Sequence, residues 1–342
     1  MKTNFKMACI CGLIAVVFLF GVVAPQVQAQ EKVIKLKYTN FFPPGHPIAV
    51  LSGDWCKEVE KQTNGRIKIT YFPGNTLCPP QQAYDSVVKG IADIGQTLAA
   101  YAAGRFLLTE VLAQPLGYTS NGQPTRTCTA FYLKFKPKEF ADSQVMYIHG
   151  HGKGMFHTVK VLNSIGDLKG LRIKANAENQ GIVSSLGASP VALPISETYD
   201  ALLKGLCDGI LLPFEALKGW KFVDLMKTSI PSDPMAYTAP IPVFMNKNKW
   251  KSISKEDQKT IEKINEEWVE KQAQLWEKLE KEGEEDAIKK GVKILKPTKE
   301  ENDLIAEKMK GVRAEWVKKT AAKGLPAQEA MDWCLEYIKT HP

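Results

Sequence analysis

Short runs of alternating apolar and polar residues recur in the first third of the chain, and each is followed by a segment with helical spacing. Residues 33–38 alternate as a half-buried strand does, and the apolar residues within 48–62 fall on one face of a helix. Further strands are predicted at residues 66–71 and 92–95, with a helix between them that ends at Gly90. Strands and helices in this alternating order predict βαβ units and a largely parallel sheet.

A second cycle of the same kind begins near residue 145. One of its helices ends at Gly187, the usual residue for a left-handed C-cap, and another is predicted to begin with Ser196 as its N-cap. The predicted strands lie at residues 145–149, 168–174, 191–193 and 208–212. Two α/β lobes in series favour a ligand cleft between them, at the carboxyl ends of the strands.

Residues 254–285 have a different pattern, in which a long apolar stripe recurs at helical spacing. Ser254 and Asp257 form an N-terminal capping pair, and Glu and Lys residues cover the faces away from the stripe. The stripe consists of Ile261, Ile264, Trp268, Leu275 and Leu279. At 1.5 Å per residue such a helix is ~48 Å long, which is enough to lie along both lobes.

The first 29 residues have the features of a secretion signal. Lys2 and Lys6 precede an uncharged apolar run over residues 7–23, and small residues at Val27 and Ala29 match what signal peptidase reads. We therefore expect cleavage after Ala29 and a periplasmic mature protein, whose formal charge falls from +8 to +6. No later segment approaches the ~20 apolar residues of a membrane span.

Composition narrows the class of protein. Hydrophobic residues make up 44% and charged residues 24% of the 342 positions, which is typical of a globular chain with about two domains. Basic residues are interleaved with acidic ones and form no stripe with aromatic residues, so no nucleic-acid partner is predicted. The modest positive charge still favours anionic small molecules as ligands.

Cysteine and histidine usage argues against a metal site. The five cysteines after residue 29 are scattered, odd in number and without a C-x-x-C pair, which leaves buried free thiols or up to two disulfides as alternatives. His149 and His151 share a strand face, but no carboxylate or cysteine nearby completes a ligand set. Gly150, Gly152 and Gly154 around them indicate a crossing between lobes. Neither a metal nor a cofactor is predicted.

Six longer sequence segments, spread over nearly the whole chain after the signal segment, carry a recognisable pattern. They are GRIKITYFPG at 65–74, AYDSVVKGIADIG at 83–95, DLKGLRIK at 167–174, LGASPV at 186–191, ETYDALLKGLCDG at 197–209 and FMNKNKWKSIS at 244–254. In content and order they resemble the solute-binding proteins of tripartite ATP-independent periplasmic (TRAP) transporters, the dicarboxylate-binding-protein family.

The resemblance implies a two-lobed periplasmic-binding-protein fold, with a mostly parallel sheet flanked by helices in each lobe and a long helix spanning both. It implies closure around one small organic anion and no enzymatic activity. It also implies delivery to a permease with a small and a large integral membrane subunit, driven by an ion gradient. On this pattern lobe I comprises residues 30–151 and 240–279, and lobe II comprises residues 152–239 and 280–342.

Lys174 is the candidate anchor for the ligand carboxylate. In many relatives the strand after the Leu-Lys-Gly turn carries an arginine for this purpose, and Lys174 occupies the matching position, with Arg172 on the same strand face. A lysine is a point charge and not a planar fork, so it neutralises an anion with less strict geometry. Leu211 and Leu212 replace the family's usual polar pair. These departures favour a more apolar ligand than a simple dicarboxylate, or an anion held by other groups. The alternative for Lys174 itself is a solvated lysine on the protein surface.

Eight further residues are candidate ligand contacts. Five follow predicted strand ends, although aromatic residues there serve equally well as plain core. The resemblance adds Ile195 as an apolar contact, and His151 is included because a neutral histidine both donates and accepts hydrogen bonds. Arg105 precedes a helix-like segment and either cradles an anion or is an exposed loop residue. The full set is Gln96, Tyr101, Phe214, Glu215, Trp220, Ile195, His151 and Arg105.

Two other classes of function are weighed against this one. A secreted hydrolase is disfavoured because the chain has no Gly-x-Ser-x-Gly, Ser-x-x-Lys or His-Glu-x-x-His motif, although abundant carboxylates leave a glycosidase-like pair open. A solute-binding protein of an ATP-driven importer or a chemoreceptor is the other alternative. The long capped helix and the order of the six sequence segments favour the TRAP interpretation over it.

Overall fold

The computed structural model describes residues 33–342, which form one compact unit. The predicted signal peptide and its cleavage site after Ala29 lie outside the described residues. Within residues 33–342, no helix has the length and apolar character needed to span a membrane.

The first lobe is built on a five-stranded sheet. Its strands are β1 (Ile34–Asn40), β2 (Ile67–Phe72), β3 (Ile94–Gln96), β4 (Ser143–Gly150) and β10 (Pro240–Asn246), in the order β2-β1-β3-β10-β4. Strand β1 pairs in parallel with β2 and with β3, whereas β10 runs antiparallel to β3 and β4. The central strands are buried on both faces, so this sheet forms the middle layer of the lobe.

The second lobe is built on a six-stranded sheet in the order β11-β9-β5-β8-β6-β7. Its strands are β5 (Met155–Thr158), β6 (Arg172–Lys174), β7 (Ser189–Val191), β8 (Gly209–Leu212), β9 (Thr228–Ile230) and β11 (Lys293–Ile294). Strand β6 pairs in parallel with β7 and β8, while β5 runs antiparallel to β8 and β9.

The two α/β lobes are as predicted, and each sheet is mostly parallel in strand direction, with one strand that runs against the others. The exceptions are β5 and β10, and each is the first strand after the chain crosses from the other lobe. A strand that enters its sheet from the crossing runs away from the junction between the lobes. Most other strands run toward it, so the entering strand is antiparallel to its neighbours.

Ten helices cover the sheets in the described part of the chain. In lobe I they include α1 (Pro47–Gln62), α2 (Ala83–Val88) and α3 (Gln123–Phe135), and in lobe II α4 (Gln180–Ser185), α5 (Ile195–Leu203) and α6 (Phe214–Gly219). The later helices are α7 (Lys247–Ser252), α8 (Lys255–Lys289), α9 (Lys299–Ala321) and α10 (Ala327–Thr340). Gly187 has φ +83°, as its predicted C-cap role requires. The N-cap of α5 is Pro194, and the predicted N-cap Ser196 lies inside the helix.

Helix α8 is the predicted long helix, and it contacts both lobes. Its 35 residues make it about 52 Å long. Ser254 Oγ accepts a hydrogen bond from Asp257 N at 3.1 Å and caps the helix as predicted. Gly283 permits close approach to lobe II, since a Cβ at that position would collide with the backbone carbonyl of Phe214. The apolar stripe includes Trp276, which is fully buried, in addition to the predicted Leu275 beside it.

The C-terminal helices divide between the lobes. Helix α9 packs on α4 of lobe II, whereas α10 packs on α3 of lobe I, where Met331 and Cys334 join the core around Phe131. The expectation that residues 280–342 all belong to lobe II therefore differs from the packing of α10. All five cysteines of the described chain are buried and free, in line with the buried-thiol alternative.

Candidate functional site

Two chain crossings form the junction between the lobes. Residues 151–154 lead from β4 into β5, as the glycines there predicted, and residues 231–239 lead back from β9 to β10. Gly154 N donates a hydrogen bond to Tyr237 O at 2.9 Å, which ties the two crossings together. A Cβ at residue 154 would collide with the Tyr237 ring, so only glycine fits at this close approach.

A cavity lies at this junction, beside the carboxyl ends of strands from both sheets. The cavity volume is about 40 Å³. Its larger apolar walls come from Phe41, Phe42, Leu98, Ile195, Trp220 and Trp276. Its polar lining groups are His151, Lys174, Asn176 and Glu215. A narrow space with mostly apolar walls and a few polar groups has the character of a small-molecule site.

Lys174 is the last residue of β6 and is buried within the cavity wall. The residue is 1% exposed, and its Nζ donates a hydrogen bond to Asn176 Oδ1 at 3.0 Å. Among the described residues no carboxylate lies within ion-pair distance of this ammonium. Burial lowers the pKa of Lys174 to about 8, against a smaller opposing effect of the Glu178 carboxylate, and leaves Lys174 mostly protonated at neutral pH. The surface-lysine alternative is therefore wrong: Lys174 is a buried cation that forms no ion pair within the described chain, and Glu178, itself buried, acts on it only from beyond ion-pair distance.

The neighbouring Arg172 has a different environment. It begins the same strand, is exposed, and forms a two-point ion pair with Asp208 through Nε at 3.0 Å and Nη2 at 3.2 Å. Its charge is therefore already neutralised by protein, outside the cavity. Of the two basic residues on β6, Lys174 alone lines the cavity.

His151 is the first residue of the crossing that leaves β4. It is buried, and its ring lies edge-on to Tyr237, with a distance of 5.4 Å between ring centroids. Burial, with a smaller contribution from the charge of Lys174, lowers the pKa of His151 to about 4, so its ring is neutral at physiological pH. The His151 Nδ1 atom lies 2.6 Å from Gly152 O, and its Nε2 atom is buried without a hydrogen-bond partner.

Glu215 forms a buried contact between the lobes. His46, the N-cap of α1, accepts a hydrogen bond on Nδ1 from Ile48 N at 3.2 Å, so its proton lies on Nε2. That Nε2–H donates to Glu215 Oε1 at 2.7 Å. Glu280 of α8 accepts hydrogen bonds from the backbone N–H groups of Phe214 and Glu215, and burial raises its pKa. This network fixes the start of α6 against both α1 and α8.

Aromatic rings make the rest of the cavity. Phe41 and Phe42 follow β1, and their ring centroids are 4.1 Å apart. Trp220 lies after α6, with its ring centroid 6.3 Å from that of Phe42. These rings belong to an apolar cluster between the lobes that also includes Trp276 and Ile195. An aromatic or other apolar body would find matching surfaces here.

Two other predicted residues lie near the junction but do not line the cavity. Gln96 is buried in a polar network, where Oε1 accepts from Tyr38 Oη, Asn40 Nδ2 and Ser52 Oγ at 2.7–2.8 Å. Tyr101 Oη accepts a hydrogen bond from Ile195 N at 3.3 Å, and burial raises its pKa to about 12. Both residues therefore pack behind the residues that line the cavity and do not line it themselves.

Phe214 and Arg105 lie elsewhere. The Phe214 ring belongs to the lobe II core, with its centroid 5.2 Å from that of His157. Arg105 lies in a loop, where it pairs with Asp142 at 3.3 Å and Asp85 at 3.5 Å and stacks on the Tyr84 ring. The structure therefore brings together Lys174, His151, Ile195, Glu215 and Trp220 and leaves these two outside.

Several cavity residues were not predicted from the sequence. Phe41 and Phe42 stand directly after a predicted strand, in a Pro- and Gly-rich loop, which is the signal that would have found them. Trp276 is next to the predicted stripe residue Leu275. Asn176, and His46 which contacts the cavity residue Glu215 without lining the cavity itself, have no local signal in the sequence, because their roles depend on contacts that form only in the fold.

His149 at the end of β4 and His151 just after it are not part of a metal-binding group in the described chain. Within residues 33–342, no group of three or more His, Cys, Asp or Glu side chains is placed to hold a metal ion. His149 Nε2 instead lies 2.9 Å from Gln96 Nε2, and its Nδ1 accepts from Trp276 Nε1 at 3.3 Å.

Comparison with known proteins places this geometry in a family. A family model described as bacterial extracellular solute-binding protein, family 7, matches residues 39–320. The chain is 25% identical over 318 residues to a protein of Comamonas testosteroni called outer membrane transporter protein TsaT, covering 90% of this chain and 91% of the relative.

Solved structures agree with that match. A TRAP solute-binding protein from Rhodoferax ferrireducens, in complex with copurified benzoate, is 27% identical with a TM-score of 0.84, covering 90% of this chain and 98% of the other. A marine metagenome TRAP solute-binding protein specific for aromatic acid ligands, in complex with metahydroxyphenylacetate, is 26% identical with a TM-score of 0.84, covering 90% of this chain and 99% of the other.

These matches support the solute-binding interpretation over the hydrolase alternative, because the family supplies a binding component of transport and not a catalyst. They likewise favour a TRAP transporter over an ATP-driven importer or a chemoreceptor. The chain belongs to family 7 of the bacterial extracellular solute-binding proteins, the binding proteins of TRAP transporters, as its resemblance predicted.

Proposed function

We propose that this protein captures a small monocarboxylate with an aromatic body in the cavity between its lobes. The observation that carries the proposal is the Lys174 ammonium, which is buried beside aromatic cavity walls, donates to the neutral oxygen of Asn176 and forms no ion pair within the described chain. A buried charge is costly unless it is paired, so the free energy of the site favours an anion beside Lys174.

The charged side chains of the cavity favour a ligand with a single carboxylate. Lys174 supplies one positive charge, and the Glu215 carboxylate also lines the cavity, where it accepts a hydrogen bond from His46. One ligand carboxylate neutralises Lys174. A second carboxylate on the same ligand would lie either against apolar rings or near Glu215, and both positions raise its free energy.

The residues of the cavity walls indicate that the rest of the ligand, apart from its carboxylate, is aromatic. Phe42, Trp220 and Trp276 offer ring faces and edges, and Ile195 adds an aliphatic surface. An aromatic ring packs on such walls with offset or edge contacts that add to the burial of apolar area. Two similar proteins, one solved in complex with copurified benzoate and the other specific for aromatic acid ligands, support this choice of ligand.

The transport partners follow from the same proposal. The mature protein acts in the periplasm after cleavage behind Ala29, and the closed, loaded form docks on a permease with one small and one large integral membrane subunit. Ligand favours closure because it contacts both lobes only in the closed form. N-terminal sequencing of exported protein is expected to begin at Gln30. Uptake should follow an ion gradient and persist without ATP.

Isothermal titration calorimetry tests the binding proposal. Benzoate and phenylacetate are the aromatic monocarboxylates, and succinate is the dicarboxylate control. At least one aromatic acid should bind with a micromolar or lower Kd, and succinate about 100-fold or more weakly, as expected for an uncompensated buried charge.

A matched pair of variants completes the test. Lys174→Met should abolish measurable binding, whereas Lys169→Met, an exposed lysine of the preceding turn, should leave the Kd unchanged. Equal affinity for succinate and the aromatic acids, or unaltered binding to the Lys174→Met variant, would refute the proposal.

A further inference from the structure

The proton of the His151 ring can be placed from its contacts. His151 Nδ1 lies 2.6 Å from the carbonyl oxygen of Gly152. A carbonyl oxygen only accepts hydrogen bonds, so Nδ1 must carry the hydrogen that joins them. The ring is neutral, because burial lowers the pKa of His151 to about 4, and a neutral imidazole carries one proton. Nε2 is therefore left with a lone pair and no hydrogen.

This lone pair is buried and unused. No hydrogen-bond donor of the described chain reaches Nε2, although the residue is only 6% exposed. The ring lies between Tyr237 and Trp276, at centroid distances of 5.4 Å and 6.3 Å, and it lines the same cavity as Lys174. A buried acceptor without a donor raises the free energy of the empty protein, and a ligand that supplies the donor removes that cost.

We propose that His151 Nε2 accepts a hydrogen bond from a hydroxyl group of the bound acid, so that the preferred ligands are hydroxy acids. This inference rests on the proposed function and specifies its substrate class. Lys174 takes the carboxylate, and His151 selects a second feature of the same molecule.

Two alternatives for Nε2 are chemically worse. A carboxylate oxygen would bring its own lone pairs against that of Nε2, which is repulsive. An unsubstituted aromatic acid would leave Nε2 buried and unpaired in the complex. Sites built to pair a ligand hydroxyl discriminate strongly against analogues that lack it, because the protein group then loses its partner.

Matched ligand pairs test the inference by calorimetry. The pairs are mandelate with phenylacetate, 3-hydroxyphenylacetate with phenylacetate, and 3-hydroxybenzoate with benzoate. In at least one pair the hydroxylated acid should bind about tenfold or more tightly, the effect of one satisfied buried acceptor.

The His151→Phe variant should reduce that ratio to near one, because the hydroxylated acid then loses the acceptor for its hydroxyl group, and a cooperative thermal unfolding transition shows that the variant folds. His341→Phe, an exposed histidine outside the cavity, is the control and should retain the full ratio. A ratio that survives His151→Phe, or no preference in any pair, overturns the inference while leaving aromatic-acid binding intact. If no acid of any pair binds, the proposed function fails and this inference falls with it.

Nitrogen-15 NMR of the unaltered protein gives a test that needs no stable variant. The His151 ring should show the Nδ1–H tautomer without ligand. The resonance of its unprotonated Nε2 should then move upfield with the preferred hydroxy acid and stay in place with the unhydroxylated partner. An Nε2–H tautomer, or equal shifts with both acids, overturns the inference.

Discussion

Strand β6 carries two basic residues whose environments differ sharply, although they share a face and are two residues apart. Arg172, at the start of the strand, has a side chain 46% exposed and forms a two-point ion pair with Asp208. Lys174, at the end of the strand, is 1% exposed and donates to the neutral oxygen of Asn176. Asp208 neutralises the charge of Arg172, whereas Lys174 forms no ion pair within the described chain and is available to pair with a ligand anion.

The difference lies in position along the strand. Strand β6 runs toward the junction of the lobes, so its last residue reaches the cavity and its first residue remains at the outer edge of the sheet. A strand's carboxyl end is where α/β folds place their ligands. The comparison therefore predicts opposite consequences when each charge is removed.

Removing each cation should give the largest effect. Lys174→Met should weaken binding of an aromatic monocarboxylate about 100-fold or more, the loss expected for a desolvated charge pair. It should also stabilise the empty protein by roughly 1–3 kcal/mol, because burying the Lys174 ammonium, which lowers its pKa, costs free energy that the methionine side chain does not. Arg172→Met should leave the Kd unchanged and lower stability by about 1 kcal/mol or less. Calorimetry and denaturant unfolding of both variants measure this. Matching changes in the two variants would show that the environments are equivalent.

The pH dependence of binding should give the next effect. The pKa of Lys174 is lowered to about 8, so the protonated, binding-competent fraction falls as pH rises above that value. Affinity should decrease by up to about tenfold per pH unit above about 8, since the ligand carboxylate stays ionised throughout. Titrations with benzoate between pH 6.5 and 9.5 measure the slope. Constant affinity over that range would contradict a lysine anchor.

The aromatic wall should contribute less than the charge. Trp220→Ala removes a ring from the cavity and should weaken aromatic-acid binding by roughly 10- to 30-fold, as for a typical buried contact aromatic. Trp333→Ala removes a ring of the same type from α10, outside the cavity, and should alter stability without changing the Kd. Calorimetry on both variants separates the two roles. Equal losses of affinity would mean that the effect of Trp220 is structural.

The smallest effect should come from the carboxylate that borders the cavity. Glu215→Gln preserves an acceptor for His46 and removes a negative charge from the lining. Discrimination against succinate should fall by roughly three- to tenfold, the scale of one screened charge interaction. The ratio of the succinate and benzoate Kd values, measured in the variant and the unaltered protein, gives the result. An unchanged ratio would remove Glu215 from the account of charge selection.

Local sequence pattern predicted the regular part of the fold well. The alternating apolar positions gave β1, and helical spacing gave α1 and the length of α8, because burial on one face leaves a period in the sequence. Strand β10 left no such period, since both of its faces are buried and Pro240 and Pro242 argue against a strand. Those prolines are tolerated because the part of β10 paired on both sides begins at Val243.

The resemblance and the strand ends together predicted part of the cavity lining. Lys174, which the resemblance indicated, is the last residue of β6 and lines the cavity. Of the five residues chosen because they follow strand ends, Glu215 and Trp220 line it and the other three do not. Phe214 precedes Glu215 directly, yet successive side chains on a helix diverge by about 100°, so one faces the core and the other the cavity. His46 joins the site only through Glu215, 169 residues later, and no local pattern encodes that distance.

A crystal structure of the complex with phenylacetate or mandelate would show which group binds the ligand carboxylate. We expect one ligand carboxylate oxygen about 2.8 Å from Lys174 Nζ, the usual length of a charge-assisted hydrogen bond, with the ring against Phe42 and Trp220. A carboxylate bound at Arg105 or elsewhere on the protein, with Lys174 still donating only to Asn176, would contradict this expectation.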